Sequence, residues 1–141
     1  MTRPSAKLRR MVARRAKGRC EYCRASEAQT GQECVVDHVI PTSRGGTNEL
    51  ENLCLSCGWC NSFKQAQING WDDVLRRRVR LFHPRRDRWN KHFCWNRDRT
   101  RIIPITAIGR VTESVLHLNR PKLRQARALW NAELKRLRDN R

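Results

Sequence analysis

The sequence predicts a small α+β protein built around a short unit of strand, loop and helix, with further helices on either side. The strand is indicated by the run Cys34-Val35-Val36, and the loop by Pro41 and Gly45-Gly46. Two Cys-x-x-Cys pairs flank the unit, and closely spaced pairs of this kind are typical of metal ligands. Because 141 residues provide one modest core, we expect residues 1–70 and an extension over 71–141 to pack together.

Segments 5–17 and 61–68 have the pattern of helices in the first half of the chain. The first places its apolar residues mostly on one side, and Gly18 is expected to end it. Asn48 is expected to cap a short turn over residues 49–53, and Val39-Ile40 to continue the strand or pair with it. Asn69-Gly70 is expected to end the second helix.

The second half of the sequence has the pattern of a hairpin followed by two helices. Residues 92–96 and 101–105 alternate in the manner of paired strands, with Pro104 at an edge position. Thr106 is expected to cap a helix, and the last helix is predicted over 120–137 with an apolar stripe. The extension is therefore predicted to be a hairpin plus helices.

A net charge of +18 points to a polyanionic partner. Residues 71–141 hold 20 Lys and Arg against 7 acidic residues, a surplus of 13, whereas residues 1–70 have a surplus of 5. Nucleic acid is favoured over an anionic membrane as that partner. No apolar run approaches the length of a bilayer span. The N-terminus also has no apolar signal core, so we expect a soluble, cytosolic protein.

Seven cysteines are an odd number, so paired disulfides would leave one cysteine over. In a reducing compartment Cys20-x-x-Cys23 is half of a zinc site, and a second pair would complete a tetrahedral set. Spacing alone allows either Cys54 with Cys57 or Cys57 with Cys60. The cysteines outside the site, and the five tryptophans, are interpreted as core residues.

Asp37, His38 and Asn61 offer the groups that phosphodiester hydrolysis requires. Carboxylate and amide oxygens suit a hard ion such as Mg²⁺ or Mn²⁺, which would stabilise charge on the phosphate. The reference pKa of a histidine side chain lies near neutrality, so His38 could take a proton from the attacking water, although it could instead be a zinc ligand beside three cysteines. On an extended strand neighbouring side chains leave opposite faces, so the sequence does not show how Asp37 and His38 would act together.

Several motifs occur together and in order in this part of the chain. They are Asp37-His38, Pro41, Gly45-Gly46, Asn52-Leu53, Cys57, Cys60-Asn61 and Lys64, with Cys20-x-x-Cys23 upstream. This combination resembles the HNH endonuclease family in its four-cysteine form. The resemblance implies a ββα-metal fold stapled by a structural zinc on Cys20, Cys23, Cys57 and Cys60.

By the same resemblance, His38 is the general base, Asp37 and Asn61 are ligands of a catalytic ion, and Asn52 is a structural residue that holds the loop. Many family members have histidine where this chain has Asn61, and an oxygen ligand there favours Mg²⁺ or Mn²⁺.

The predicted activity is metal-dependent cleavage of DNA, with double-stranded DNA as the expected substrate. Two alternatives are a zinc-stabilised binding module without catalysis and a nuclease acting on RNA. The sequence does not indicate the oligomeric state, the cleavage specificity or the biological role. The candidate nucleic-acid contacts are Lys64, Arg44, Arg76, Arg77 and Arg78.

Overall fold

The computed structural model describes residues 3–141, which form an α+β fold as predicted. The helices are α1 (Ala6–Arg15), α2 (Glu27–Thr30), α3 (Gly58–Lys64), α4 (Trp89–His92), α5 (Ala107–Leu116) and α6 (Pro121–Asp139). The strands are β1 (Cys34–His38), β2 (Leu53–Cys57), β3 (Asn69–Asp72), β4 (Arg77–Arg80), β5 (Phe93–Trp95) and β6 (Ile102–Pro104). They form three separate two-stranded antiparallel sheets.

The first sheet carries the sequence motifs. Strand β1 begins at Cys34 as predicted, but it pairs with β2 rather than with Val39-Ile40, in a register that places His38 opposite Leu53. Two single turns of 3₁₀ helix, Thr42–Arg44 and Leu50–Asn52, lie in the loop between these strands. The prediction that Asn48 caps the second turn is wrong, because Glu49 occupies the cap position and makes no side-chain cap bond.

Helix α3 follows β2 without a loop. The thiol of Cys57 caps it by accepting a hydrogen bond from the backbone N–H of Cys60. The helix ends at Lys64, because Gln65 adopts a positive φ of 50°. The predicted end at Asn69-Gly70 is wrong, since both residues belong to β3.

The extension contains the predicted hairpin, formed by β5 and β6, and both predicted helices. Thr106 caps α5 as expected, by accepting a hydrogen bond from Gly109 N. The hairpin of β3 and β4 was not predicted, because the arginine-rich β4 has no apolar alternation. Gly70 of β3 lies so close to Val115 of α5 that an added Cβ would come within 2.9 Å of it.

One hydrophobic cluster includes residues of both halves of the chain, from Cys20 to Leu123. A smaller cluster of Val12, Leu53 and Leu55 holds α1 against the first sheet. Not every residue predicted to be core is buried: Cys94 is exposed, and Trp59 and Trp71 are each 50 % exposed. No helix within residues 3–141 is long and apolar enough to span a bilayer.

Candidate active site

Four thiols converge where β2, α3 and the Cys20–Cys23 turn meet. The sulfur atoms of Cys20, Cys23, Cys57 and Cys60 all lie within 4.8 Å of one another, and all four residues are buried. The 3.8 Å between the sulfurs of Cys23 and Cys57 matches the edge of about 3.8 Å expected for a tetrahedron with zinc–sulfur bonds of about 2.3 Å. Hydrogen bonds with the other three cysteines lower the pKa of Cys57. This set of donors fits a zinc ion.

The structure chooses between the two cysteine pairings that the spacing allows. Cys57 and Cys60 join the cluster, whereas the thiol of Cys54 points to the hydroxyl of Tyr22 at 3.5 Å. His38 is not part of the cluster, so its alternative role as a zinc ligand does not fit.

Two arginines of the extension hold the cysteine cluster from outside. The guanidinium of Arg120 lies 3.6 Å from Cys57 Sγ and 3.9 Å from Cys60 Sγ, where its charge offsets that of the thiolates. Arg127 is 2 % exposed and donates hydrogen bonds to the backbone carbonyls of Cys23 and Leu118. The extension therefore supports the cluster directly.

Asp37 lies beside the cluster in a buried polar environment. Its Oδ2 accepts a hydrogen bond from Tyr22 at 3.1 Å and forms an ion pair with Lys64, also at 3.1 Å. Burial raises the pKa of Asp37, while the charge of Lys64 and the Tyr22 hydrogen bond oppose the rise. Since Oδ2 has these two partners, Oδ1 is the oxygen of Asp37 that could bind an ion.

His38 is more exposed than Asp37, as alternation along β1 requires. Its Nε2 lies 2.6 Å from Oδ1 of Asn48. With the amide oxygen as acceptor, Nε2 carries the proton and Nδ1 is the basic nitrogen. Asn48 thus fixes both the orientation of the ring and its tautomer.

The loop that carries Asn48 is held by the side chain of Asn52. Asn52 accepts a hydrogen bond from Ile40 N at 2.9 Å, and it donates to Ile40 O at 3.0 Å and to Thr47 O at 2.9 Å. Gly46 allows this close approach, because a Cβ there would collide with the carbonyl of Ile40 and would crowd Asn52 Nδ2. These contacts place Asn48 within reach of His38.

The sequence model of the HNH endonuclease family matches residues 20–67. The chain therefore contains an HNH endonuclease domain. Searches of curated proteins and of solved structures gave no match. The matched residues 20–67 include the cysteine cluster together with Asp37, His38 and Asn61.

The remaining predicted site residues have different environments. Asn61 lies partly exposed in α3, directly after Cys60. Arg44 is exposed, and its Nε donates to the carbonyl of Ala66 at 3.0 Å. Arg76, Arg77 and Arg78 are exposed at and after the turn that joins β3 to β4.

Lys64 is not the surface residue that its predicted phosphate contact requires. It is 1 % exposed, and its ammonium is directed at Asp37 and at the carbonyl oxygen of His38, 3.1 Å away. In this structure it neutralises a buried carboxylate beside the HNH motif.

Two functional candidates are absent from the sequence interpretation. Tyr22 has its hydroxyl on Asp37, although the sequence shows it only as a residue between two cysteines. Asn48 contacts His38, and no sequence motif marks it as a functional residue. Its place in the loop after Gly45-Gly46, ten residues from His38, was the available signal.

Proposed function

We propose that this protein is a metal-dependent endonuclease that hydrolyses phosphodiester bonds in DNA, with His38 as the general base. The observation that carries the proposal is the partly exposed His38 ring, held by Asn48 directly beside Asp37 in the HNH domain. HNH domains are generally nucleases, and a module that only binds nucleic acid does not require such an arrangement.

His38 acts on the water that attacks the phosphorus. Its Nδ1 accepts a proton from that water, and Nε2–H remains bonded to Asn48, which stabilises the imidazolium that forms. A base held by an orienting group is also found in other hydrolases, and the likeness to His38 and Asn48 is in geometry and role only. For Asn48 to keep its bond to Nε2, the loop that carries it must remain fixed, and the hydrogen bonds of Asn52 fix that loop.

Asp37 Oδ1 and the amide oxygen of Asn61 are the groups that would hold a hard divalent ion. Such an ion supplies charge for the phosphate oxygens and the leaving alkoxide when bound. Lys64 pairs with Asp37 Oδ2 and opposes the rise that burial causes in the pKa of this carboxylate. A buried zinc in the four-cysteine cluster would serve stability, because that site has no open ligand position.

We assign phosphate contacts along the substrate to Arg44 and to the exposed arginines of the β3–β4 hairpin. The surplus of positive charge in residues 71–141 supports the extension as a main source of affinity for nucleic acid. Arg85, which follows strand β4, is not assigned a phosphate contact, because its guanidinium is paired with the buried Glu21.

The test is cleavage of plasmid DNA and of RNA by the purified chain with Mg²⁺ or Mn²⁺, beside a His38→Ala variant. We expect wild-type cleavage of DNA and a rate about a hundredfold to ten-thousandfold lower for His38→Ala, because general-base catalysis contributes on that scale. Zinc content and thermal melting should be unchanged in the variant, since affinity and stability depend on other residues.

Each alternative outcome leads to a different conclusion. Cleavage of RNA alone would assign the site to RNA. Tight binding with no cleavage of either polymer would indicate a zinc-stabilised binding module. Full activity in His38→Ala would show that the base lies elsewhere.

A further inference from the structure

A cavity of about 360 Å³ lies between the Cys20–Cys23 turn, the β5–β6 hairpin and α6. It shares no residue with the His38 and Asp37 site. Its volume falls at the lower end of the range for small-molecule pockets in proteins, which is about 300 to 1,000 Å³. The cavity is therefore large enough to hold a compact ligand.

The lining of this cavity is aromatic and strongly basic. Among the residues that line it are three tryptophans and four arginines, and none is acidic. Those seven are Trp89, Trp95, Trp130, Arg19, Arg24, Arg99 and Arg127. A ligand that suits these walls has a flat aromatic part and a negative charge.

Several of these groups already stack on one another. The guanidinium of Arg24 lies 5.0 Å from the ring centre of Trp89, and those of Arg99 and Arg127 lie 5.3 and 5.2 Å from that of Trp95. These cation–π pairs stabilise the walls of the cavity. Stabilisation would be their only role if the cavity were purely structural.

Two observations point beyond a structural role. Within residues 3–141, Trp130 has neither an aromatic nor a cation–π partner, although it lies partly exposed at the cavity. Arg127 is 98 % buried, and its Nε is one of two buried side-chain nitrogens in that range without a hydrogen-bond partner. Trp130 thus offers a stacking face at the cavity, beside a buried arginine with an unpaired N–H.

We propose that this cavity binds one unpaired nucleotide of a nucleic acid, with the base stacked on Trp130 and the phosphate at Arg99 and Arg24. Base stacking on aromatic side chains is sequence-tolerant, and the arginines provide the accompanying charge. A base within an intact duplex is covered on both faces by its neighbours, so the ligand must be single-stranded, terminal or extruded. The proposal rests on the proposed function in taking nucleic acid as the ligand, and it adds a binding site remote from the cleavage chemistry.

The test is fluorescence anisotropy with a labelled six-nucleotide single strand and a labelled duplex of about twenty base pairs, without added divalent ions. We expect Trp130→Ala and Arg99→Gln to weaken binding of the single strand by about fivefold to a hundredfold, the scale of one stacked base. Binding of the duplex should change little. Arg124→Gln is the matched control, since Arg124 is an exposed arginine of α6 that does not line the cavity.

The proposal is overturned if Trp130→Ala binds the single strand as tightly as the wild type. It is also overturned if Arg124→Gln weakens binding as much as Arg99→Gln, because general charge would then explain the loss. Should Trp130→Ala lose zinc or fold poorly, Trp130→Phe replaces it and should bind like the wild type. These outcomes are independent of cleavage. A chain that binds the single strand but cleaves neither plasmid nor RNA refutes the proposed nuclease and leaves the proposed nucleotide pocket intact.

Discussion

The cysteine cluster and the His38 site lie in the same HNH domain but differ in their exposure to solvent. The four cysteines are at most 1 % exposed, and backbone N–H groups and Arg120 surround their sulfurs. His38 and Asn61 are partly exposed, and Asn48 contacts His38 from a loop that Asn52 holds in place. A closed set of soft donors suits a structural ion, and an open set of nitrogen and oxygen donors suits catalysis.

The His38 and Asp37 site also depends on the cysteine cluster, whereas the cluster does not depend on His38. Tyr22 stands between Cys20 and Cys23, and its hydroxyl bonds to Asp37. Loss of the cysteine cluster would therefore release a group that positions Asp37. Loss of His38 would leave the cluster intact, because none of the cysteine contacts involves it.

The largest effect is expected from Cys57→Ser. Binding of structural zinc contributes about 10 to 16 kcal/mol in small zinc domains, comparable with the total stability of an ordinary domain. We expect the variant to lose zinc and its cooperative unfolding transition, measured by metal analysis and circular dichroism. Cys54→Ser is the matched control and should keep its zinc, since Cys54 lies outside the cluster. The reverse pattern would show that Cys54 is the ligand.

Lys64→Met should destabilise the chain while leaving zinc in place. The ion pair with Asp37 is buried, and removing one partner of such a pair costs about 3 to 5 kcal/mol because the other charge stays uncompensated. Urea denaturation would measure this loss. Adding Asp37→Asn should recover much of it, whereas Lys122→Met, at an exposed lysine, should change stability by less than about 0.5 kcal/mol. Equal effects at the two lysines would contradict the assigned pair.

A smaller effect is expected from Asn48→Ala. Losing one orienting hydrogen bond of about 0.5 to 1.5 kcal/mol should slow DNA cleavage by up to about tenfold, without loss of zinc. Asn48→Asp retains the acceptor and adds a negative charge, which stabilises the imidazolium. Its rate of DNA cleavage should therefore exceed that of Asn48→Ala. The neighbouring Glu49→Ala should behave as the wild type, and an unchanged rate in Asn48→Ala would contradict the assigned contact.

Much of the fold could be predicted from local patterns. Helix α1, the β5–β6 hairpin and helices α5 and α6 have clear periodicity or caps, and all four were predicted. The β3–β4 hairpin could not be predicted, because β4 is nearly all arginine. This strand forms by pairing with β3, and β3 packs on α5 through Gly70. The early end of α3 depends on the positive φ at Gln65, which residue type does not indicate.

For the site, the sequence spacing identified the candidate catalytic residues but not the contacts between them. The motif singled out Asp37, His38 and Asn52, and the structure supplies their partners. Lys64 was predicted to contact phosphate, because its place in the helix one turn after Asn61 does not reveal that it is buried. Tyr22 and Asn48 lie in loops that are distant in sequence and meet the site only on folding. Their contacts with Asp37 and His38 are therefore visible only in the three-dimensional structure.

The most direct test of two separate metal roles is plasmid cleavage after brief treatment with EDTA and desalting, with zinc measured in the same sample. We predict that about one zinc per chain remains in the closed cysteine site, that cleavage is lost, and that Mg²⁺ or Mn²⁺ alone restores it. Cleavage that disappears only when zinc leaves, and returns only when zinc is added, would contradict this account.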